Sequence, residues 1–285
     1  PTITAQADAG WTAYNDVVYR SSDQYLGANV TVITIGTGNP GPTSGVLLDL
    51  ATGSSTGVTA TLTQSGGVVW QADATTGGDE AAAGTDAYVT FHGLTDLGGV
   101  VYYGSTGWYV DLTFTGLDPA RTYTFAASAN RKGGTTYADR VSRYTISDVA
   151  AAANASTSGV TVKTTSFAGD TSAFSTGENT ATGYVARWTG IQPGSDGDFT
   201  VRAQADGSVN NAYAFSVFML QEEATASTPT ITTTNSRRTT PCVSSRKEIA
   251  SRRSCSSAGV KSPTPTSAGN CSCASPATSP NTAPS

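Results

Sequence analysis

The chain has 285 residues, 31 of them glycine, with 13% charged residues, 8% aromatics and a formal net charge of −5. Serine and threonine fill 79 positions, a composition that suits short strands joined by turns rather than long helical periods. The acidic balance argues against a nucleic-acid partner, and no run of about eighteen apolar residues supplies a membrane-spanning helix.

From the N-terminus, Ile3, Ala5, Ala7, Ala9, Trp11 and Ala13 alternate with Thr2, Thr4, Gln6, Asp8, Gly10 and Thr12. Period-two alternation marks a half-buried strand, here 2–13 and about 36 Å long at about 3.3 Å per residue. Such a strand suits pairing in its own sheet, and equally donation to the exposed edge of a neighbouring copy. Residues 29–35, 57–64, 67–71 and 85–91 are weaker strand candidates. In Trp108–Phe114, the residues Trp108, Val110, Leu112 and Phe114 share one face, and Tyr109, Asp111 and Thr113 the other. A turn over Gly116–Ala120, with Pro119 well placed in it, leads into a strand that turns Tyr123, Phe125 and Ala127 inward. Further strands are predicted at 140–147, 183–191, 198–205 and 212–220. Ala150–Ala153 is the best helical fragment and is too short to hold a helix.

Over 212–220, Tyr213, Phe215, Val217 and Met219 form one face, and Ala214, Phe218 and Leu220 the other. Both faces are apolar, so the second is covered either by the chain itself or by another subunit. Recurrent turn signals without helical stretches between them predict an all-β fold, an antiparallel β-sandwich of jelly-roll or immunoglobulin-like type.

Composition changes after Leu220. Residues 1–223 contain every Trp, Tyr and Phe and carry a net charge of −11, whereas 224–285 contain all four Cys and carry +6. A segment without aromatics buries too little surface to offset its ordering entropy. We therefore expect a sandwich domain over 1–223 and an extended low-complexity tail over 224–285, a linker, stalk or processing remnant. The tetrapeptide Pro-Thr-Ile-Thr at 1–4 recurs at 229–232, a short match in the manner of a repeat boundary. Cys242, Cys255, Cys271 and Cys273 lie in the tail without a Cys-x-x-Cys pair, so they permit disulfides and do not staple the core.

Chemistry-bearing patterns are sparse. His92, in Thr90-Phe-His-Gly93, is the only histidine; no nucleophile elbow accompanies it, and a loop or strand-end role is expected. One histidine and four tail cysteines supply zinc poorly. Asp79-Glu80 and Asp196-Gly-Asp198 are the closest acidic pairs, both in glycine-rich loops; Asp196 and Asp198 are weak candidates for a structural calcium ion, and no other cofactor is expected. Trp70, Tyr102, Tyr103 and Tyr109 are candidates for stacking on sugar rings, while Trp108 and Trp188 read as core. Asn29, Asn154 and Asn270 sit in glycosylation acceptor patterns.

Across roughly 11–221, several strings resemble a β-sandwich module of large secreted bacterial surface proteins. They are Ala13-Tyr-Asn-Asp-Val-Val-Tyr19, Thr56-Gly-Val-Thr-Ala-Thr-Leu-Thr63, Gly99-Val-Val-Tyr-Tyr-Gly-Ser105, Trp108 through Pro119, and Gly183-Tyr-Val-Ala-Arg-Trp188. Such modules stand beside immunoglobulin-like, fibronectin-like and lectin-like repeats. Leu117-Asp-Pro-Ala-Arg-Thr-Tyr123 is also similar to the fibronectin type III turn that leads into a tyrosine corner. The resemblance implies an extracellular, non-enzymatic module and carries over no catalytic residues.

Taken with the residues, the first expectation is a structural or adhesive protein of the cell surface, a self-assembling fibre subunit. It would use its N-terminal strand to pair with copies of itself. The second is a carbohydrate-binding module of a secreted multidomain protein, and the third a hydrolase with an acidic pair.

Overall fold

A computed structural model describes residues 2–4, 10–19, 26–35, 41–65, 70–73, 77–95, 97–103, 107–132, 134–207, 212–224 and 230–232. The described residues all belong to one compact unit, Pro1–Thr233; residues 234–285 lie outside the described ones. The tail cysteines and Asn270 fall in that segment.

In chain order the elements begin with β1 (Thr2–Thr4), β2 (Thr12–Asp16), β3 (Ser44–Leu48), β4 (Ser55–Gln64), β5 (Trp70–Asp73), α1 (Asp86–Phe91), β6 (Val100–Tyr103), β7 (Tyr109–Thr115) and β8 (Tyr123–Ser128). After a 3-10 turn at Gly134–Tyr137 come β9 (Val141–Ser147), β10 (Val149–Asn154), β11 (Thr161–Lys163), β12 (Thr171–Ser175) and α2 (Asn179–Thr182). The last elements are β13 (Ala186–Pro193), β14 (Asp198–Ala205), β15 (Ala212–Tyr213), β16 (Val217–Glu222) and β17 (Thr230–Thr232). Two antiparallel sheets form the sandwich: five strands in the order β10-β13-β8-β16-β2, and seven in the order β11-β12-β9-β14-β7-β4-β3. A three-stranded sheet, β15-β6-β5, and a ribbon, β1-β17, complete the described pairing.

The core follows from alternation. Trp108, Val110, Leu112 and Phe114 are all buried on the inner face of the seven-stranded sheet. Phe114 meets Phe125 and Phe218 of the opposing sheet at centroid distances of 5.8 and 5.6 Å, both edge-on, and Phe199 of its own sheet at 5.0 Å. Edge-to-face contacts of this kind add about 0.5–1.5 kcal/mol each beyond area burial. Where the chain turns between β7 and β8, the Tyr123 hydroxyl accepts a 2.9 Å hydrogen bond from the Asp118 backbone N–H. This is the geometry of a tyrosine corner.

The five-stranded sheet is buried on both faces at its β8 and β16 strands. Phe218 and Leu220 of β16 enter the inter-sheet core, while Val217 and Met219 join a second cluster with Ala81, Ala87, Phe91, Leu97, Ala126 and Val185. The outer face is therefore covered from within the chain, by α1 and its flanking loops. Ala214 and Phe215 are likewise buried in the main core, so Ala214, Phe218 and Leu220 need no second subunit. Helix α1 starts where the Thr85 hydroxyl caps the Tyr88 N–H at 3.4 Å, and it is tied to β13 by Asp86. That carboxylate accepts bonds from Arg187 at 2.7 and 2.9 Å and from Thr157 at 2.6 Å. Burial works against its ionisation, but the Arg187 and Thr157 bonds prevail and hold its pKa below the ordinary range.

Several sequence expectations need correction. Residues 85–91 form α1, not a strand, because Ala87 and Phe91 bury one helical face. Ala150–Ala153 lies in strand β10, since pairing with β13 outweighs alanine's helical preference. Residues 29–35 contribute only a single bridge, Thr31 to Asn15. The segment 212–220 is two strands in different sheets, β15 and β16, parted at Ala214-Phe215-Ser216. The N-terminal strand is interrupted as well. Gly10 has φ +64°, and a Cβ there would collide with the Glu222 carbonyl, so β2 starts at Thr12. Residues 67–69 lie outside the described residues.

Phe114→Ala is expected to destabilise the domain by about 3–5 kcal/mol, measured by urea denaturation. A loss under about 1 kcal/mol would show that the inter-sheet rings do not set the packing.

Candidate functional site

With the β8–β16 part of one sheet covered on its outer side, the outer face of the seven-stranded sheet is a broad regular surface left open. Side chains alternate along each strand, so the outward residues of neighbouring strands fall into rows. One row runs Ser147–Thr200–Thr113–Thr61–Ser44 across β9, β14, β7, β4 and β3. The next runs Lys163–Thr171–Thr145–Arg202–Asp111–Thr63 across six strands. Hydroxyls bond laterally along these rows: Thr113 with Thr200 at 2.9 Å, Ser44 with Thr61 at 2.8 Å and Thr145 with Thr171 at 2.9 Å.

A groove of about 550 Å³ crosses these rows, lined by ten residues that are all polar, among them Asp111, Thr113, Arg143, Thr145, Thr200 and Arg202. Arg202 is fixed in it. Its Nε and Nη2 each donate to Asp111 at 2.7 Å, and its guanidinium carbon lies 3.9 Å over the Tyr109 ring. The paired Asp111 carboxylate raises the Arg202 pKa further above its ordinary value. Tyr109 was expected to stack on a sugar; Arg202 instead occupies one face of its ring, so the groove offers hydrogen bonds there in place of an open aromatic platform.

One rim is held by Asp170, whose carboxylate accepts from Thr165 N–H and Oγ1 at 2.9 and 2.7 Å and from the Phe167 N–H at 3.1 Å. Burial opposes its ionisation, but bonds from Ser166, Thr165 and Phe167 prevail and hold the pKa at about 2. Beyond Ser147 and Asp148 the surface continues into a second hollow of about 660 Å³ that includes Asp196 and Asp198. Burial, the hydrogen bond that protonated Asp198 donates to Asp196, and the charges of Asp196 and Asp148 raise the Asp198 pKa. The two carboxyls interact, so the charge on one disfavours ionisation of the other. Among the described residues no group of three or more His, Cys, Asp or Glu assembles as a metal site.

The remaining candidates are dispersed. His92 ring-stacks on Tyr88 at 4.2 Å and pairs through Nδ1 with Glu80 in a loop beside α1; the neighbouring Asp79 pairs with Lys132. The backbone sets Trp70 opposite Tyr103 and Gln71 opposite Tyr102 in the three-stranded sheet; the side chains of Trp70, Tyr102 and Tyr103 lie outside the described ones. Asn154 is built into the fold, its amide donating to Gly169 O and Ser172 Oγ at 2.9 and 2.8 Å. Asn29 adopts φ +65° and donates to Leu50 O at 3.0 Å. Trp11 packs against Tyr123 at 6.1 Å and Ala13 is fully buried, while Ala5, Ala7 and Ala9 are outside the described residues. Ile3 pairs in register with Ile231. No described helix is long and apolar enough to cross a membrane.

Comparison with protein-family models, with curated proteins and with solved structures returned no match.

The Asp170 geometry has a signed consequence. An unfolded aspartate titrates near pH 3.9, and the folded group at about 2. Its stabilisation is fully present above about pH 4 and is lost as pH falls towards 2. Asp170→Asn should therefore flatten the stability–pH curve between about pH 4 and 2, followed by denaturant unfolding at stepped pH. An unchanged slope would contradict the assignment.

Proposed function

We propose that the sandwich is a non-catalytic extracellular module that binds polysaccharide on the exposed face of its seven-stranded sheet. The observation that supports it is the all-polar groove centred on Thr113, Thr200 and Arg202. Sugars present hydroxyls that both donate and accept, and this surface offers matching partners: hydroxyls that do both, a guanidinium that only donates and carboxylates that only accept. An apolar ligand would need the hydrophobic lining common to small-molecule pockets, which this groove lacks. Arg202 is held by Asp111 and Tyr109 before any ligand arrives, so little further ordering entropy is lost on binding. The site acts by recognition, through hydrogen bonds laid across several strands.

A second reading, assembly into fibres, has one specific support. The identical segments Thr2–Thr4 and Thr230–Thr232 pair antiparallel. Either strand of that ribbon is replaceable by its counterpart from another copy, as in strand exchange. On this reading, the protein forms concentration-dependent oligomers that disappear when residues 1–4 are deleted; a monomer at every concentration would remove it.

For the first reading, affinity electrophoresis against a panel of insoluble and soluble polysaccharides should retard the full chain on at least one. Arg202→Ala and Thr113→Arg should each weaken retention at least about tenfold, the loss expected for one or two good hydrogen bonds. The Arg202→Ala stability cost should stay within about 1 kcal/mol because the ion pair is exposed. Retention unchanged in both variants, or none on any polysaccharide, would overturn the proposal.

A further inference from the structure

At the end of the sandwich where β9 begins, two arginines converge on one ring. The guanidinium carbon of Arg140 lies 3.9 Å from the Tyr137 ring centroid and that of Arg131 lies 5.2 Å from it. Arg140 is also 5.6 Å from the Tyr213 centroid and donates through Nη1 to the buried Tyr213 hydroxyl. Most other cationic side chains of the fold have a carboxylate partner: Arg187 with Asp86, Arg202 with Asp111, Lys132 with Asp79, Lys163 with Asp206. Arg131 and Arg140 have none within ion-pair distance among the described residues. The Arg131 Nε is buried without a hydrogen-bond partner.

The arrangement is held by backbone, not by charge. Thr176 accepts from the Arg131 N–H at 3.0 Å through its carbonyl and donates its own N–H to the Arg140 carbonyl at 3.0 Å. One fully buried residue thus fixes both arginines. At Gly177 a side chain would collide with the Tyr137 carbonyl, so that ring too is seated by the same turn. Two like charges drawn to one ring repel each other, and tyrosine faces offset this only in part. A bound anion relieves the repulsion. Guanidinium groups match planar carboxylates and tetrahedral phosphate or sulfate through paired N–H bonds.

We propose that Arg131 and Arg140, gathered on Tyr137 and clamped by Thr176, form a binding site for an oxyanion carried by a ligand: a sulfate, a phosphate ester or a carboxylate. The site is separate from the polar groove and does not depend on the polysaccharide reading.

The test uses the full chain at constant ionic strength, titrated with sodium sulfate, sodium phosphate or sodium glucuronate against sodium chloride. Thermal unfolding and calorimetry are the readouts. At least one oxyanion is expected to raise Tm by about 3 °C at tenfold excess over its dissociation constant. A response to sulfate or phosphate identifies a tetrahedral ester, and a response to glucuronate alone identifies an acidic sugar. Arg131→Gln and Arg140→Gln should each reduce the affinity at least about tenfold, while Arg121→Gln should leave it unchanged. Arg131→Lys and Arg140→Lys keep the charge and lose the fork, so they should bind weakly. The proposal is overturned if no oxyanion acts beyond chloride, or if the Arg131 and Arg140 variants respond as the unaltered chain does.

Discussion

The structure depends on the meeting of Phe114 with Phe125 and Phe218. These rings reach across from opposite sheets and, with Phe199, set the spacing at which all other inward side chains must fit. Because interiors are close-packed and fill like organic crystals, a fixed aromatic layer determines how far β7 and β14 are held apart from β8 and β16. The register of the outward rows follows from that. Thr113 and Thr200 stand side by side on the surface because Phe114 and Phe199 are paired one residue away within the core.

A second constraint divides the molecule into a closed side and an open side. The five-stranded sheet carries apolar outward residues on β8 and β16, Ala126, Val217 and Met219, and α1 lies over them; Asp86 and Arg187 pin that cover in place. The seven-stranded sheet has mostly threonine, serine and charged residues at its outward positions, with Val46 exposed on its edge strand β3. On the proposed readings, recognition falls on one broad face and on the sandwich end where β9 starts. The two differ in kind. The groove is a balanced set of donors and acceptors, whereas the Arg131–Tyr137–Arg140 cluster has no carboxylate within ion-pair distance among the described residues.

Legibility in the sequence tracks local alternation. The strand 198–205 and the inner face of 108–114 were readable because period-two burial is a property of consecutive residues. The tyrosine corner followed from the resemblance of Leu117–Tyr123 to a fibronectin type III turn, not from alternation. Helix α1 was not readable, because Tyr88, Val89, Thr90 and Phe91 favour strands by type; its signals were the Thr85 cap and the Ala87–Phe91 spacing. The length of the N-terminal strand was overread because alternation of side chains does not reveal the positive φ at Gly10. The groove was half visible. Asp111 and Thr113 were placed outward, but their alignment with Thr200, Arg202 and Thr145 depends on strand order and register between segments up to about ninety residues apart. The arginine pair was hidden in the same way, since Thr176 joins Arg131 to Arg140 only in the folded chain.

The account stands on the outward rows of the seven-stranded sheet being a recognition surface and not merely a solvated one. Backbone amide NMR of the folded domain during titration with a soluble oligosaccharide reads this directly. Shifts confined to residues 109–113, 143–147 and 200–204, saturating together with one dissociation constant, are the predicted result. Shifts confined to α1 and its loops, or none for any oligosaccharide, would contradict it.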